Sequence, residues 1–190
     1  MLTEKFSEAV TLAAKAHATQ VRKGSGIPYI AHPLGVASLV IEFGGDEEQA
    51  IAGLLHDVIE DGGSEFIEPI RDGFGARVLA MVEACTDGMP DETGQKAPWA
   101  DRKKAYLEHL SSCSDDALLV SAADKLYNAR AILDDLRDPD VGAAVFGRFK
   151  AGKDQTLWYY GELAKIFAGR GSPVARKLTA VVEEIRRLAA

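Results

Sequence analysis

Residues 50–62, AIAGLLHDVIEDG, hold the densest set of groups able to do chemistry in this chain. On a helix of about 100° per residue, with His56 as origin, Glu60 falls near 40°, Asp57 near 100° and Asp61 near 140°. Three carboxylates and an imidazole therefore share one arc, and Ile51, Leu55, Val58 and Ile59 lie opposite, as a stripe that packs into a core. Gly53 sits one turn earlier on the polar face and leaves space above it. No Lys or Arg occurs from 49 to 70 to dilute the acids. Carboxylates crowded around an imidazole repel and desolvate badly unless a cation neutralises them, and a divalent metal does so. Taken alone, the segment also fits a solvated acidic face with an incidental histidine.

Two residues elsewhere favour the metal. His32 stands in PYIAHP, where a proline-flanked loop holds it just before a helix start. Asp124 stands in LLVSAADKLYNAR, preceded by Leu118, Leu119, Val120, Ala122 and Ala123. A carboxylate in such apolar company pairs with something or ligates something. Lys125 points about 100° away from it on a helix and is a partner only in the bland account. Asn128 lies one turn on, on the same face as Asp124, and offers both a donor and an acceptor.

The elements that must position these groups read as helices almost throughout. Phe6, Ala9, Val10, Ala13 and Ala16 follow 3- and 4-residue steps with Thr3 as N-cap, and a helix restarts near Pro33. Further helices are expected at 46–60, 64–72, 75–86, 98–111, 114–136, 139–149, 153–168 and 173–189. No stretch alternates with period two, so the chain is expected to be all-α, one helical bundle spanning residues 1–190. The loop TDGMPDETGQKAP, 86–98, reads as mobile or functional rather than packed.

Composition narrows the function classes. Lys plus Arg total 22 against 29 Asp plus Glu, a formal net charge of -7 that argues against nucleic-acid or anionic-membrane binding by bulk charge. A local basic pocket for a phosphorylated metabolite stays open. Two cysteines, Cys85 and Cys113, are too few for a disulfide scaffold, so a reduced, cytoplasmic protein is expected. The N-terminus lacks the apolar run of a signal peptide, and no stretch reaches the length of a membrane span.

The order His32, His56-Asp57, Asp124, together with AxxAH at 13–17, QVRKGSGIPYIAHP at 20–33, LLHDVIEDG at 54–62 and ADKLYNAR at 123–130, resembles the HD-domain metal-dependent phosphohydrolases. Within these it is similar to the hydrolase domains of the RelA/SpoT family over about residues 5–165, at the length of a stand-alone small alarmone hydrolase. The resemblance implies a helical bundle of the HD type holding one Mn²⁺ per chain through His32, His56, Asp57 and Asp124. It implies removal of the 3′-pyrophosphate of guanosine tetra- and pentaphosphate, with Glu60 and Asp61 orienting and deprotonating the attacking water. Asn128 matches a nucleotide contact, and Arg22-Lys23 match a basic pair at the pocket mouth.

Beside these, Lys150 and Lys153 are candidates for a second phosphate clamp, and Tyr160, on the face of Lys153, for a wall of the nucleotide site. Trp158 reads as core, His17 as a packed histidine, and Arg102, Lys103 and Lys104 as solvated. The Lys23–His32 loop is one residue longer than in the long bifunctional enzymes, and 86–105 is unlike theirs. Base preference is thus open: a broader HD-class hydrolase acting on adenosine alarmones or NADPH, or a non-catalytic nucleotide sensor, are the alternatives. Oligomeric state is open too.

Overall fold

A computed structural model describes residues 1–88 and 95–190, which fold into ten α-helices with no strand among the described residues beyond one isolated bridge, Val21 to Pro28. They are α1 Glu4–Ala16, α2 Ala31–Glu42, α3 Glu47–Leu55, α4 Val58–Gly62, α5 Ile67–Phe74 and α6 Ala76–Cys85. After the 86–98 segment come α7 Trp99–Leu110, α8 Asp115–Arg137, α9 Gly152–Gly169 and α10 Ala175–Ala189. Residues 89–94 of the TDGMPDETGQKAP loop lie outside the described residues. The all-α expectation holds.

Helix α8 is the spine. Its 23 residues bury Leu118, Val120, Ala122, Ala123, Leu126 and Ala129 among α2, α3, α6 and α10. Small residues on this stripe let the neighbours approach closely, and Asp124 rides on it into the interior. Ser114 caps its start by accepting from the Ala117 amide at 3.2 Å. Helix α3 starts with a full capping box. Asp46 Oδ1 accepts from the Gln49 amide, and Gln49 Oε1 accepts from the Asp46 amide, both at 2.9 Å. Arg77 of α6 reaches Asp46, Glu48 and Asp116 at 2.8, 2.6 and 2.9 Å, tying the starts of α3 and α8 together.

Three expected helices differ, and the 64–72 helix does so least: it opens as a 3₁₀ turn, Ser64–Phe66, before α5. The segment 46–60 is broken: α3 ends at Leu55, His56 and Asp57 form a turn, and α4 begins at Val58. The Gly53 carbonyl, which an unbroken helix would offer to the Asp57 amide, accepts instead from His56 Nδ1 at 2.9 Å. Gly53 does not leave open space either. An added Cβ there would stand 3.3 Å from the Ala37 Cα, so this glycine is where α2 and α3 touch. The 139–149 segment forms a 3₁₀ helix, Gly142–Arg148, in place of an α-helix. The positive φ of Gly142 (51°) takes the chain off the α path three residues after Pro139.

Gly35 of α2 lies flat against the Tyr127 ring of α8, whose hydroxyl donates to the Ala31 carbonyl at 3.2 Å. An added methyl would run into that ring. Gly35→Ala is expected to cost about 1–3 kcal/mol by overpacking, outweighing its gain in helix propensity. Urea unfolding checks this; unchanged or raised stability would show that the ring yields freely.

Candidate metal centre and nucleotide cavity

Four side chains from three places in the sequence meet at one point. His32 comes from the first turn of α2, His56 and Asp57 from the turn between α3 and α4, and Asp124 from the middle of α8. His32 Nε2 lies 3.1 Å from His56 Nε2, 3.3 Å from Asp57 Oδ2 and 3.2 Å from Asp124 Oδ1. His56 Nε2 lies 3.0 Å from Asp57 Oδ2 and 3.6 Å from Asp124 Oδ1. The donor atoms of His32, His56 and Asp124 fall within 4.8 Å of one another, and all three residues are buried.

These donors fit a divalent ion. Two ligands about 2.0–2.2 Å from one ion at tetrahedral or octahedral angles stand about 3.0–3.5 Å apart, the spacing seen here. Two carboxylates balance a 2+ charge, and two neutral imidazoles add none. The tautomer of the neutral ring is set as well: the Gly53 carbonyl can only accept, so His56 Nδ1 keeps its hydrogen and Nε2 is the nitrogen that would hold an ion. Mixed imidazole and carboxylate ligation suits a harder ion than a thiolate site does.

The surroundings hold the ligands in place. Asp57 Oδ2 accepts from Tyr29 Oη at 2.7 Å, and Tyr29 packs between the rings of His17 and His32. Asp124 Oδ2 accepts from Lys125 Nζ at 2.6 Å, and Asp124 Oδ1 accepts from Asn128 Nδ2 at 2.6 Å. The Lys125 pairing corrects the expectation from helix angles: its long stem curls back to reach the neighbouring carboxylate. Burial alone would raise both ligand carboxyls. The imidazoles around Asp57, and Lys125 with the same imidazoles around Asp124, override it and hold both well below the usual range. Burial likewise opposes charge on His56, but Asp57 and Asp124 lift its pKa well above the ordinary value.

The cluster sits beside a cavity of about 600 Å³ whose wall includes Arg22, Lys23, Asp61, Lys103, Lys125 and Asn128. Arg22 Nη2 donates to Asn128 Oδ1 at 3.1 Å, which joins the basic loop to the α8 asparagine. Tyr160 also lines this cavity. The acidic pair divides. Asp61 faces the cavity, its pKa raised by burial and then by Asp57 and Glu60. Glu60 turns away: Oε1 accepts from Lys96 Nζ at 2.6 Å and Oε2 from the Asp87 amide at 3.2 Å.

Other expectations are corrected. Lys150 is exposed and outside the cavity wall, and Lys153 donates to the Ala189 carbonyl at the end of α10. Trp158 is 39% exposed rather than core, because α9 turns Tyr159 inward in its place. Lys103 is not solvated: it lines the cavity, paired with Asp87. Sequence reasoning missed Tyr29, Lys103, Lys125 and Arg148. Only Tyr29 carried a signal, three residues before His32 in the same rigid loop.

The HD domain model matches residues 9–147. A curated guanosine-3′,5′-bis(diphosphate) 3′-pyrophosphohydrolase MESH1 of Xenopus tropicalis is 44% identical over 126 residues, 65% of this chain and 66% of its own length. The human MESH1 is 40% identical over 126 residues, with the same coverage. The matched part is thus about two thirds of these relatives. A guanosine-3′,5′-bis(diphosphate) 3′-pyrophosphohydrolase of Aquifex aeolicus (strain VF5) is 34% identical over 131 residues, 68% of this chain and 18% of that protein. A solved structure described as a metazoan ortholog of SpoT that hydrolyses ppGpp superposes with a TM-score of 0.79 at 25% identity, covering 100% of this chain and 99% of that one.

Without an ion Asp57 and Asp124 favour the protonated form of His56, and a ligating imidazole must give up its Nε2 proton, so metal and proton compete for this site. Calorimetric titration with Mn²⁺ in buffers of different ionisation enthalpy is expected to show proton release on binding. Affinity should fall as pH drops from about 8 to 6. A pH-independent affinity without proton release would show that His56 is not a ligand.

Proposed function

Because this chain belongs to the HD-domain family, we propose that it is a Mn²⁺-dependent phosphohydrolase that removes the 3′-pyrophosphate of guanosine 3′,5′-bis(diphosphate) and related alarmones. The observation that carries this is the four-donor cluster of His32, His56, Asp57 and Asp124 beside a cavity walled by Arg22, Lys23, Lys103 and Lys125. An ion for the scissile phosphate and cations for the others are what a polyphosphorylated nucleotide requires. The curated relatives carry that activity in their names.

A bound divalent ion supplies Lewis-acid polarisation of the scissile phosphate and a lowered pKa for its water. The residues do the remainder. Asp61, on the cavity wall with its carboxyl pKa raised, takes the proton of the attacking water, since a base works best when its pKa approaches the operating pH. Glu60 acts one step back: its charge helps lift Asp61, and its bonds to Lys96 and the Asp87 amide anchor α4. Asn128, held by Arg22 and holding Asp124, links the nucleotide side of the cavity to the ligand cluster. Lys23, exposed at the mouth, captures the anionic substrate against the protein's overall negative charge. No helix of the described residues is long and apolar enough to cross a membrane. Cys85 and Cys113 are both unpaired, which suits a reducing cytoplasm.

The test is a Mn²⁺-supplemented hydrolysis assay on the tetraphosphate with product identification: pyrophosphate is expected to leave in one step, and a chelator to stop it. Release of orthophosphate, or full turnover without metal, would overturn the proposal. Asp61→Asn should retain the metal yet lose about 10²–10⁴ in kcat, the range for a general base. Glu60→Gln should also keep the metal and lose less, because its carboxylate is not on the cavity wall. Equal losses for the two would return the proton-transfer role to the pair jointly.

A further inference from the structure

The wall of the cavity contributed by α8 is graded. Asp124, Asn128, Ala131, Ile132 and Asp135 fall at helical spacings of three and four residues, hence on one stripe, and the last four line the cavity. At 1.5 Å per residue, Asn128 lies about 6 Å, Ile132 about 12 Å and Asp135 about 16 Å along the axis from Asp124. The stripe therefore runs from ligand carboxylate, through a neutral amide and a short apolar shelf, to a second charged station.

That station is a pair. Asp135 Oδ2 accepts from Arg148 Nη1 at 2.6 Å, with both side chains partly buried at 29% and 23% exposure. Arg148 also lies over Gly24 in the Arg22–Ile27 loop, where an added Cβ would run into its guanidinium stem. The far end of the cavity is thus closed by the basic loop, the 3₁₀ helix and α8 together. A guanidinium presents five donors in a fork, and Asp135 occupies only part of it. The complement of this stripe is an anion at the metal, an uncharged ring system over Asn128 and Ile132, and a second anion at Arg148.

We propose that Asp135 is a specificity-determining residue: by occupying part of the Arg148 fork, it limits how much negative charge the far end accepts and so sets the preferred number of 5′-phosphates. This rests on the nucleotide reading given above. A single diphosphate takes the donors that Asp135 leaves. A further phosphate brings added negative charge against the Asp135 carboxylate, which Arg148 alone does not offset. Asp135 lies about 16 Å along α8 from the ligand carboxylate Asp124, so its effect is expected in KM and in binding rather than in kcat.

The experiment compares wild type with Asp135→Asn on guanosine tetraphosphate and pentaphosphate, which differ by one 5′-phosphate, and in parallel measures equilibrium binding of GDP and GTP. Asp135→Asn is expected to shift the kcat/KM ratio, and the GTP-to-GDP affinity ratio, toward the longer 5′ chain by about fivefold, the scale of one partly exposed charge pair. Arg148→Gln, which leaves the carboxylate without its partner, should shift both ratios the other way. If both nucleotides are hydrolysed and neither ratio moves, the assignment of Asp135 is overturned and the proposed activity stands. If neither is hydrolysed but the GTP-to-GDP ratio shifts as expected, the proposed activity is overturned and the subsite stands. Without hydrolysis and without a shift, both fall.

Discussion

Two carboxylates gathered within about 3.6 Å of two buried imidazoles is the constraint that the rest of the molecule serves. Such a group is costly unless every remaining lone pair and proton is answered. The fold answers them one by one: Tyr29 for Asp57, Lys125 and Asn128 for Asp124, the Gly53 carbonyl for His56. Each answering group comes from the same short stretch as a ligand, or from one adjacent to it. Of the four donor residues, His32 is left with a buried atom, Nδ1, that has no hydrogen-bond partner among the described residues, so the set is one contact short of complete.

Helix α8 lets interior charge and interior packing coexist. Asp124 and Lys125 are consecutive, so the costliest carboxylate is accompanied by its own cation, whatever the neighbours do. The flanking alanines and leucines then pack as any buried helix would. Lys125 also sits 4.9 Å from the Tyr106 ring, which gives the buried ammonium an aromatic face as well as a carboxylate. One element thereby serves as core, as ligand carrier and as a graded cavity wall.

The sequence made the ligands legible because their surroundings were anomalous for their types: an Asp amid Leu, Val and Ala, and acids around a histidine with no cation nearby. The all-α class was legible from periodicity. The break at His56-Asp57 was not, since a helical wheel assumes an unbroken ladder and cannot register a side chain that takes over a backbone acceptor. Nor were the cavity's lysines. Lys103 sits in an Arg-Lys-Lys run that ordinarily means solvated surface, and only the packing of α7 against α9 turns it inward. Lys150 and Lys153, expected as a clamp, are not brought together on the cavity wall. Lys150 stays exposed ahead of α9, and Lys153 is drawn to the carbonyl end of α10, a contact far away in sequence.

The histidine that interrupts the α3–α4 ladder does two jobs with two nitrogens. Nδ1 ends a helix and Nε2 faces the ligand cluster. No residue without both nitrogens reproduces this, so replacing His56 also changes the backbone that presents Asp57, and with it the start of the helix bearing Glu60 and Asp61. Chemistry and chain path are therefore inherited together at this position. A descendant of this chain that abandoned hydrolysis while keeping the bundle would find it easier to discard Asp61, which ends no helix, than His56.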